Sequence, residues 1–239
     1  MIKLGHGQFS QDLCTQLLFG VDFKGVFLDL GCGIGHLNIE EVPESFMSNT
    51  YALEQMGWKG IAIDYDKAYC DKLQKTRDSV ICVDLMKNNI NEVLESNNCP
   101  TVVDYLSFDV DEAQRKVLDE LDFNKYKFKF ITYEHNYSHA VYNKESIYAG
   151  DREYSRAKFL DLGYKILWGN VGTRNNYYIE DWYICSELYD KYSYLHQDPA
   201  HAYNVIKALL ALRGPDIKEK MREDARQKQT NNVFDSLGN

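Results

Sequence analysis

Four carboxylates stand where short apolar runs end. Asp64 closes Gly60-Ile61-Ala62-Ile63, Asp84 closes Val80-Ile81-Cys82-Val83, Asp109 closes the run from Val103, and Glu134 closes the run from Phe128. Ahead of them lies Val26-Phe27-Leu28-Asp29-Leu30-Gly31-Cys32-Gly33-Ile34-Gly35, an apolar run entering a glycine turn. Glycines there let a ligand approach the backbone without meeting a side chain. A carboxylate at the end of the next strand can accept two hydrogen bonds from ribose hydroxyls, and Asp84 is placed to meet an adenine amino group. Loop and acids together point to a nucleoside. The loop reads GxGxG, with His36 following, where a dinucleotide fingerprint would read GxGxxG. S-adenosylmethionine (SAM) has no pyrophosphate to lay on a helix N-terminus, so the shorter loop behind Asp29 suits it better.

The same strand ends offer acid–base chemistry. An alcohol becomes a useful nucleophile only when a general base takes its proton. Asp109 is the first candidate for that base, followed by Glu134 and His135. Asp111 and Glu112 lie close by. So many acids in one place must raise some of their pKa values or recruit a cation. A hard divalent ion would take oxygen ligands, with Asp109, Asp111 and Glu134 as candidates. The metal-free arrangement is preferred, because the positions beyond Asp109 have no cation-cage spacing and Glu112 suits the first turn of a helix. The aromatic stretch from Asn136 to Tyr148 could supply stacking surface for a sugar or an aromatic acceptor.

These residues need elements to hold them. Strands are expected at Val26–Leu30, Gly60–Asp64, Val80–Asp84, Val103–Asp109, Phe128–Glu134, Tyr164–Trp168 and Tyr177–Ile184. Helices fit at Ser48–Met56, Lys67–Thr76, Ile90–Ser96, Glu112–Leu121 and Arg152–Leu162. The Gly/Asn-rich stretch Gly169–Asn176 reads as a hairpin turn. The alternation predicts a Rossmann-like α/β fold: a mostly parallel seven-stranded sheet with an antiparallel edge strand and helices on both faces. Residues 1–190 would form the catalytic domain. Residues 191–239 would form a helical extension, apolar over Ala202–Leu212 and charged from Asp216.

Composition narrows the partners. The formal charge of −9 disfavours a protein that grips nucleic acid through phosphates. The six cysteines are scattered without a CxxC pair, as in a reduced cytoplasmic protein. There is no signal-peptide h-region and no apolar stretch of the ~18 residues a membrane span needs. The expected partner is a small-molecule or saccharide acceptor.

The sequence also resembles the FkbM-type branch of the class I SAM-dependent methyltransferases. The likeness rests on Gly7-Gln8-Phe9-Ser10-Gln11-Asp12-Leu13, Ser48–Glu54 with Gly57–Ile61, Asp104–Asp109 and Phe130–Asn136, within roughly residues 7 to 185. It implies SAM contacts at Gly31, Gly33, Asp64 and Asp84, with Gln8 and Asn49 as further candidates. Asp29, Cys32, Tyr65 and Leu85 flank these contacts, and Asp109 lies at the active-site end of the fourth strand. It also implies O-methylation of hydroxyl groups on sugars and natural products. Two features depart from the family pattern. Glu112 stands where a glycine usually follows the acid after Asp109, and Cys32–His36 is closer to the general methyltransferase loop. The rival readings are a non-catalytic SAM-binding protein, a nucleic-acid methyltransferase and a nicotinamide-dependent oxidoreductase.

Overall fold

In a strand successive side chains point to opposite faces, and this period of two organises the whole molecule. The computed structural model describes residues 6–33, 43, 46–143, 145–172, 177–215, 219 and 222. The third loop glycine, Gly35, and His36 lie outside the described residues, as do residues 1–5, 173–176 and most of the charged C-terminal run.

The chain begins with α1 (Gln11–Phe19) and then alternates β1 (Val26–Leu30), α2 (Tyr51–Gln55), β2 (Lys59–Asp64), α3 (Lys67–Leu73), β3 (Val80–Cys82), α4 (Ile90–Ser96) and β4 (Val102–Phe108). A 3₁₀ turn at Asp111–Ala113 leads into α5 (Gln114–Glu120), followed by β5 (Lys127–Glu134), α6 (Tyr137–Tyr142), α7 (Asp151–Asp161), β6 (Lys165–Gly172), β7 (Tyr178–Ile184) and α8 (Ser186–Tyr192). A last helix, α9, runs over 202–215. The strands form one seven-stranded sheet in the order β3-β2-β1-β4-β5-β7-β6. All pairs are parallel except those made by β7. This is a Rossmann-like α/β arrangement, a mostly parallel sheet with helices on both faces. The antiparallel strand sits one place in from the edge: β7 fills the slot between β5 and β6, and β6 takes the edge.

Two cores cover the two faces. Phe27, Ala62, Tyr105, Phe130 and Trp182 point to a core shared with α1, α2, α3, α8 and α9. Leu28, Ile63, Leu106, Ile131 and Tyr183 point to the other, shared with α4, α5 and α7. On the second face Phe159 lies 4.5 Å from Tyr183, ring centre to ring centre. The C-terminal helices belong to this body. Val205 and Leu209 are fully buried, and Arg213 Nε donates to the Leu17 carbonyl at 2.8 Å.

Several elements differ from expectation for identifiable reasons. Helix α1 escapes the sequence pattern because Gln11, Asp12, Thr15 and Gln16 are buried along with its apolar residues, which removes the usual polar face. Strand β3 stops at Cys82, so Asp84 lies two residues beyond it, with its backbone and carboxylate engaged in a turn to Met86–Asn88. Strand β6 continues to Gly172 through register shifts, so residues 169–172 belong to the strand and not to a turn.

Beneath the glycine turn lies a buried polar network. Asp29 accepts from the Thr50 hydroxyl, Thr50 Oγ1 accepts from Arg77, and Arg77 Nε meets Glu54 at 2.6 Å. Arg77 is 2% exposed. Removing one partner of a buried ion pair leaves the other uncompensated, at a cost of about 3–5 kcal/mol. Arg77→Met is therefore expected to lower unfolding free energy by about that amount in urea titration. A loss below about 1 kcal/mol would show that the network contributes little.

Candidate active site

Register and parity place one row of residues across the ends of the strands. Asp29 pairs with Ala62 and with Ser107, Ser107 with Thr132, Thr132 with Trp182, and Glu134 with Glu180. Two residues further toward the same end, on the same face, come Asp64, Gly31, Asp109, Glu134 and Glu180. At the carboxyl ends of parallel strands this is the crevice where α/β sheets bind ligands. A cavity of about 860 Å³ opens there, lined by all five of these residues.

Gly31 occupies the middle of the row with φ +85°, and a β-carbon there would overlap the Asp109 carbonyl oxygen. Its N–H and that of Cys32 both donate to the Ile63 carbonyl. Gly33 donates its N–H to Asp64 Oδ2 at 2.8 Å, while Asp64 Oδ1 accepts from Asp66 N–H at 2.9 Å. A side chain at position 33 would strike the Asp64 carboxylate. The turn is thus bare where the cavity needs backbone, and Asp64 holds it in place.

The proposed nucleoside residues lie together. Gln8, Asp29, Gly31, Cys32, Gly33, Asn49, Asp64, Tyr65, Asp84 and Leu85 all line the cavity. Tyr65 is exposed at its rim, and Leu85 is buried in its wall. Asp84 also binds Lys87 at 2.7 Å, which holds its carboxyl below the usual range. Asn49 donates to Ser107 Oγ at 3.0 Å, leaving its buried Oδ1 without a hydrogen-bond partner. The hydroxyl of Tyr69, a residue only 6% exposed in the same lining, is likewise unpartnered.

At the other end Asp109 and Glu134 share a hydrogen bond. Burial, then the Glu134 charge, pushes Asp109 well up; burial and the charge of Glu180 push Glu134 to about 7. Like charges this close titrate as a pair, one proton at a time. Asn136 donates to Glu134 Oε1 at 2.6 Å, and Gln114 bridges from β4 to the Glu134 carbonyl.

Glu180 at this end was not expected from sequence, whereas Tyr148 and His139 belong to the aromatic stretch from Asn136 to Tyr148. Glu180 is buried, receives bonds from Gln11 (2.6 Å) and Trp182, and is pushed to about 8 by desolvation. Tyr148 donates to Asp111 Oδ1 at 2.6 Å. His139 also lines the cavity. A signal for Glu180 exists in Ile179-Glu180-Asp181-Trp182, two acids inside an apolar strand.

His135 is not brought to the cavity. It is one residue past Glu134 and so points to the opposite face. There its fully buried ring sits 3.5 Å from Asp181, which also binds Arg156 at 2.6 Å. The aromatic stretch is divided: Tyr148 reaches the cavity, Tyr137 lies under Arg152, and Tyr142 is exposed. Asp109, Asp111 and Glu134 all line the cavity. Among the described residues, however, no group of three His, Cys, Asp or Glu is placed to hold a metal ion. Nor is any helix among them long and apolar enough to cross a membrane.

No family model matches the sequence, and no curated protein matches it. Two solved structures are similar in outline. One is a TehB-like SAM-dependent methyltransferase from Corynebacterium glutamicum, at 11% identity and TM-score 0.43 over 72% of this chain and 87% of that one. The other is an O-methyltransferase candidate from Klebsiella pneumoniae, at 13% identity and TM-score 0.44 over 75% and 80%. Likenesses at this level say nothing of activity.

The raised acids make stability depend on pH. A carboxyl whose pKa is higher folded than unfolded stabilises the fold while protonated, and that stability is lost as pH rises from the ordinary value to the folded one. For Glu180 that window runs from 4.5 to about 8. The melting temperature of the ligand-free protein is therefore expected to fall across this range. Glu180→Gln should flatten the upper part of the fall, and an unchanged pH profile would contradict the burial of this charge.

Proposed function

We propose that the protein is a SAM-dependent methyltransferase that methylates a hydroxyl on a sugar or small natural-product-like acceptor. The observation that carries this reading is the row Asp64–Gly31–Asp109–Glu134–Glu180. It joins a bare glycine turn and its ribose-side acid to a desolvated carboxyl pair across one cavity. The residues present suit the ligand. Gly31 and Gly33 bring bare backbone to the cavity wall, packed against the Asp109 carbonyl and the Asp64 carboxylate, and the unpartnered Asn49 Oδ1 and Tyr69 hydroxyl are free for polar contacts. Carboxyl groups dominate the described lining, with Lys87 as the lone lysine or arginine. That polarity suits a sulfonium and an ammonium group. The resemblance to the FkbM-type branch points the same way, and the free cysteines accord with a cytoplasmic enzyme.

Bound SAM supplies a methyl group already activated on its sulfonium. The chain's part is to hold the acceptor in line and to take its proton. Asp64 would hold the ribose hydroxyls, and Asp84 the adenine edge. Asp109, once ionised, would accept the acceptor's hydroxyl proton and become neutral, and until that transfer its hydrogen bond with a protonated Glu134 would share the negative charge. His135, buried on the far face, takes no part, and the step is drawn without a divalent cation.

A second reading is favoured by the acidic lining: an amine acceptor, drawn in as an ammonium and deprotonated by the same pair. Competition between matched alcohol and amine acceptors separates the two.

Asp64→Ala should weaken SAM binding by about tenfold to a hundredfold, the worth of a charge-assisted contact of roughly 1.5–3 kcal/mol. Calorimetry showing unchanged affinity would remove the ribose assignment. Asp109→Asn keeps the shape but loses the proton acceptor. Turnover should fall by about 10²–10⁴ while SAM affinity changes little, and wild-type turnover would make Asp109 structural.

A further inference from the structure

The row of strand ends continues onto β3, where Cys82 is the register partner of Asp64. Its exposed thiol lies 3.8 Å from the Tyr65 carbonyl. From above, α3 brings the buried thiol of Cys70 to 3.6 Å from the Asp64 carbonyl. The two sulfurs reach consecutive carbonyls of the nucleoside wall and lie within hydrogen-bonding reach of each other. We propose that Cys70 and Cys82 are a redox-active pair that closes into a disulfide between α3 and β3 when the protein meets a hydroperoxide.

The roles follow from access. Cys82 is open to solvent and so meets the peroxide first, whereas burial pushes the Cys70 thiol up and keeps its proton in place until the second step. The Cys82 thiolate attacks the peroxide O–O bond, giving a sulfenic acid and releasing water or an alcohol. The Cys70 sulfur then attacks the Cys82 sulfur, forming the S–S bond. The sulfenic hydroxyl leaves with the Cys70 proton as a second water. Two thiols are oxidised to one disulfide and one peroxide is reduced. The crosslink ties together the two segments that flank Asp64 and Tyr65, and so stiffens the wall carrying the ribose-side acid. This inference does not rest on the methyltransferase reading.

The test treats the full folded chain with hydrogen peroxide, blocks remaining thiols and digests with trypsin. The two cysteines fall in separate tryptic peptides, 68–72 and 78–87. The expected product is these two peptides joined, lighter than their sum by two hydrogen atoms, and separated again by dithiothreitol. Cys82→Ser, at an exposed position, should abolish the joined peptide, and Cys70→Ala should leave Cys82 as sulfenic or sulfinic acid. Peroxide that converts wild-type Cys82 to sulfinic acid with no joined peptide would overturn the proposal. So would a joined peptide that pairs either cysteine with one of the other four.

Discussion

The carbonyl oxygen of Asp109 occupies the space where any residue but glycine at position 31 would put its β-carbon. That close approach fixes the geometry of the site. It sets the glycine turn of β1 directly against the end of β4, so the cavity floor is backbone on one side and carboxyl on the other. Because the neighbouring strands are in register, Asp64 falls on one flank of Gly31 and Glu134 with Glu180 beyond Asp109 on the other. The cofactor-facing and chemistry-facing ends are thus positioned by a single contact and by the spacing of a pleated sheet.

The electrostatics follow from that packing. Carboxyls crowded at one end of a sheet and withdrawn from water hold their protons more tightly, as Asp109, Glu134 and Glu180 do. Beneath the turn the buried Asp29 is offset by Arg77, whereas among the described residues the acids within the cavity face no comparable protein cation beyond Lys87. A positively charged ligand would complete the charge balance and release those protons. The same desolvation that destabilises the empty cavity at high pH therefore favours a cationic guest.

Much of the framework was legible in the sequence because strand ends and the glycine turn are local signals. Asp29, Gly31, Gly33, Asp64 and Asp109 needed only the pattern of apolar runs closed by acids. The side to which each acid points was harder to read. Glu134 and His135 are neighbours, and only the parity of β5 against the sheet sends one to the cavity and the other to Asp181. Glu180 was missed because its strand joins the row from the opposite direction, bringing together residues 46 positions apart through register. Helix α1 and Gln11 were missed because a helix buried on most sides has no amphipathic period. Asp84 was placed at a strand end, but β3 stops short and a turn carries it to the cavity wall.

The central claim is that this cavity is a SAM site. Native mass spectrometry of the full chain in an equimolar mixture of SAM and NAD tests it most directly. The account predicts a single adduct of one SAM per chain and no NAD adduct. Retention of NAD, or of neither molecule at concentrations well above those at which nucleoside cofactors ordinarily saturate their enzymes, would contradict it.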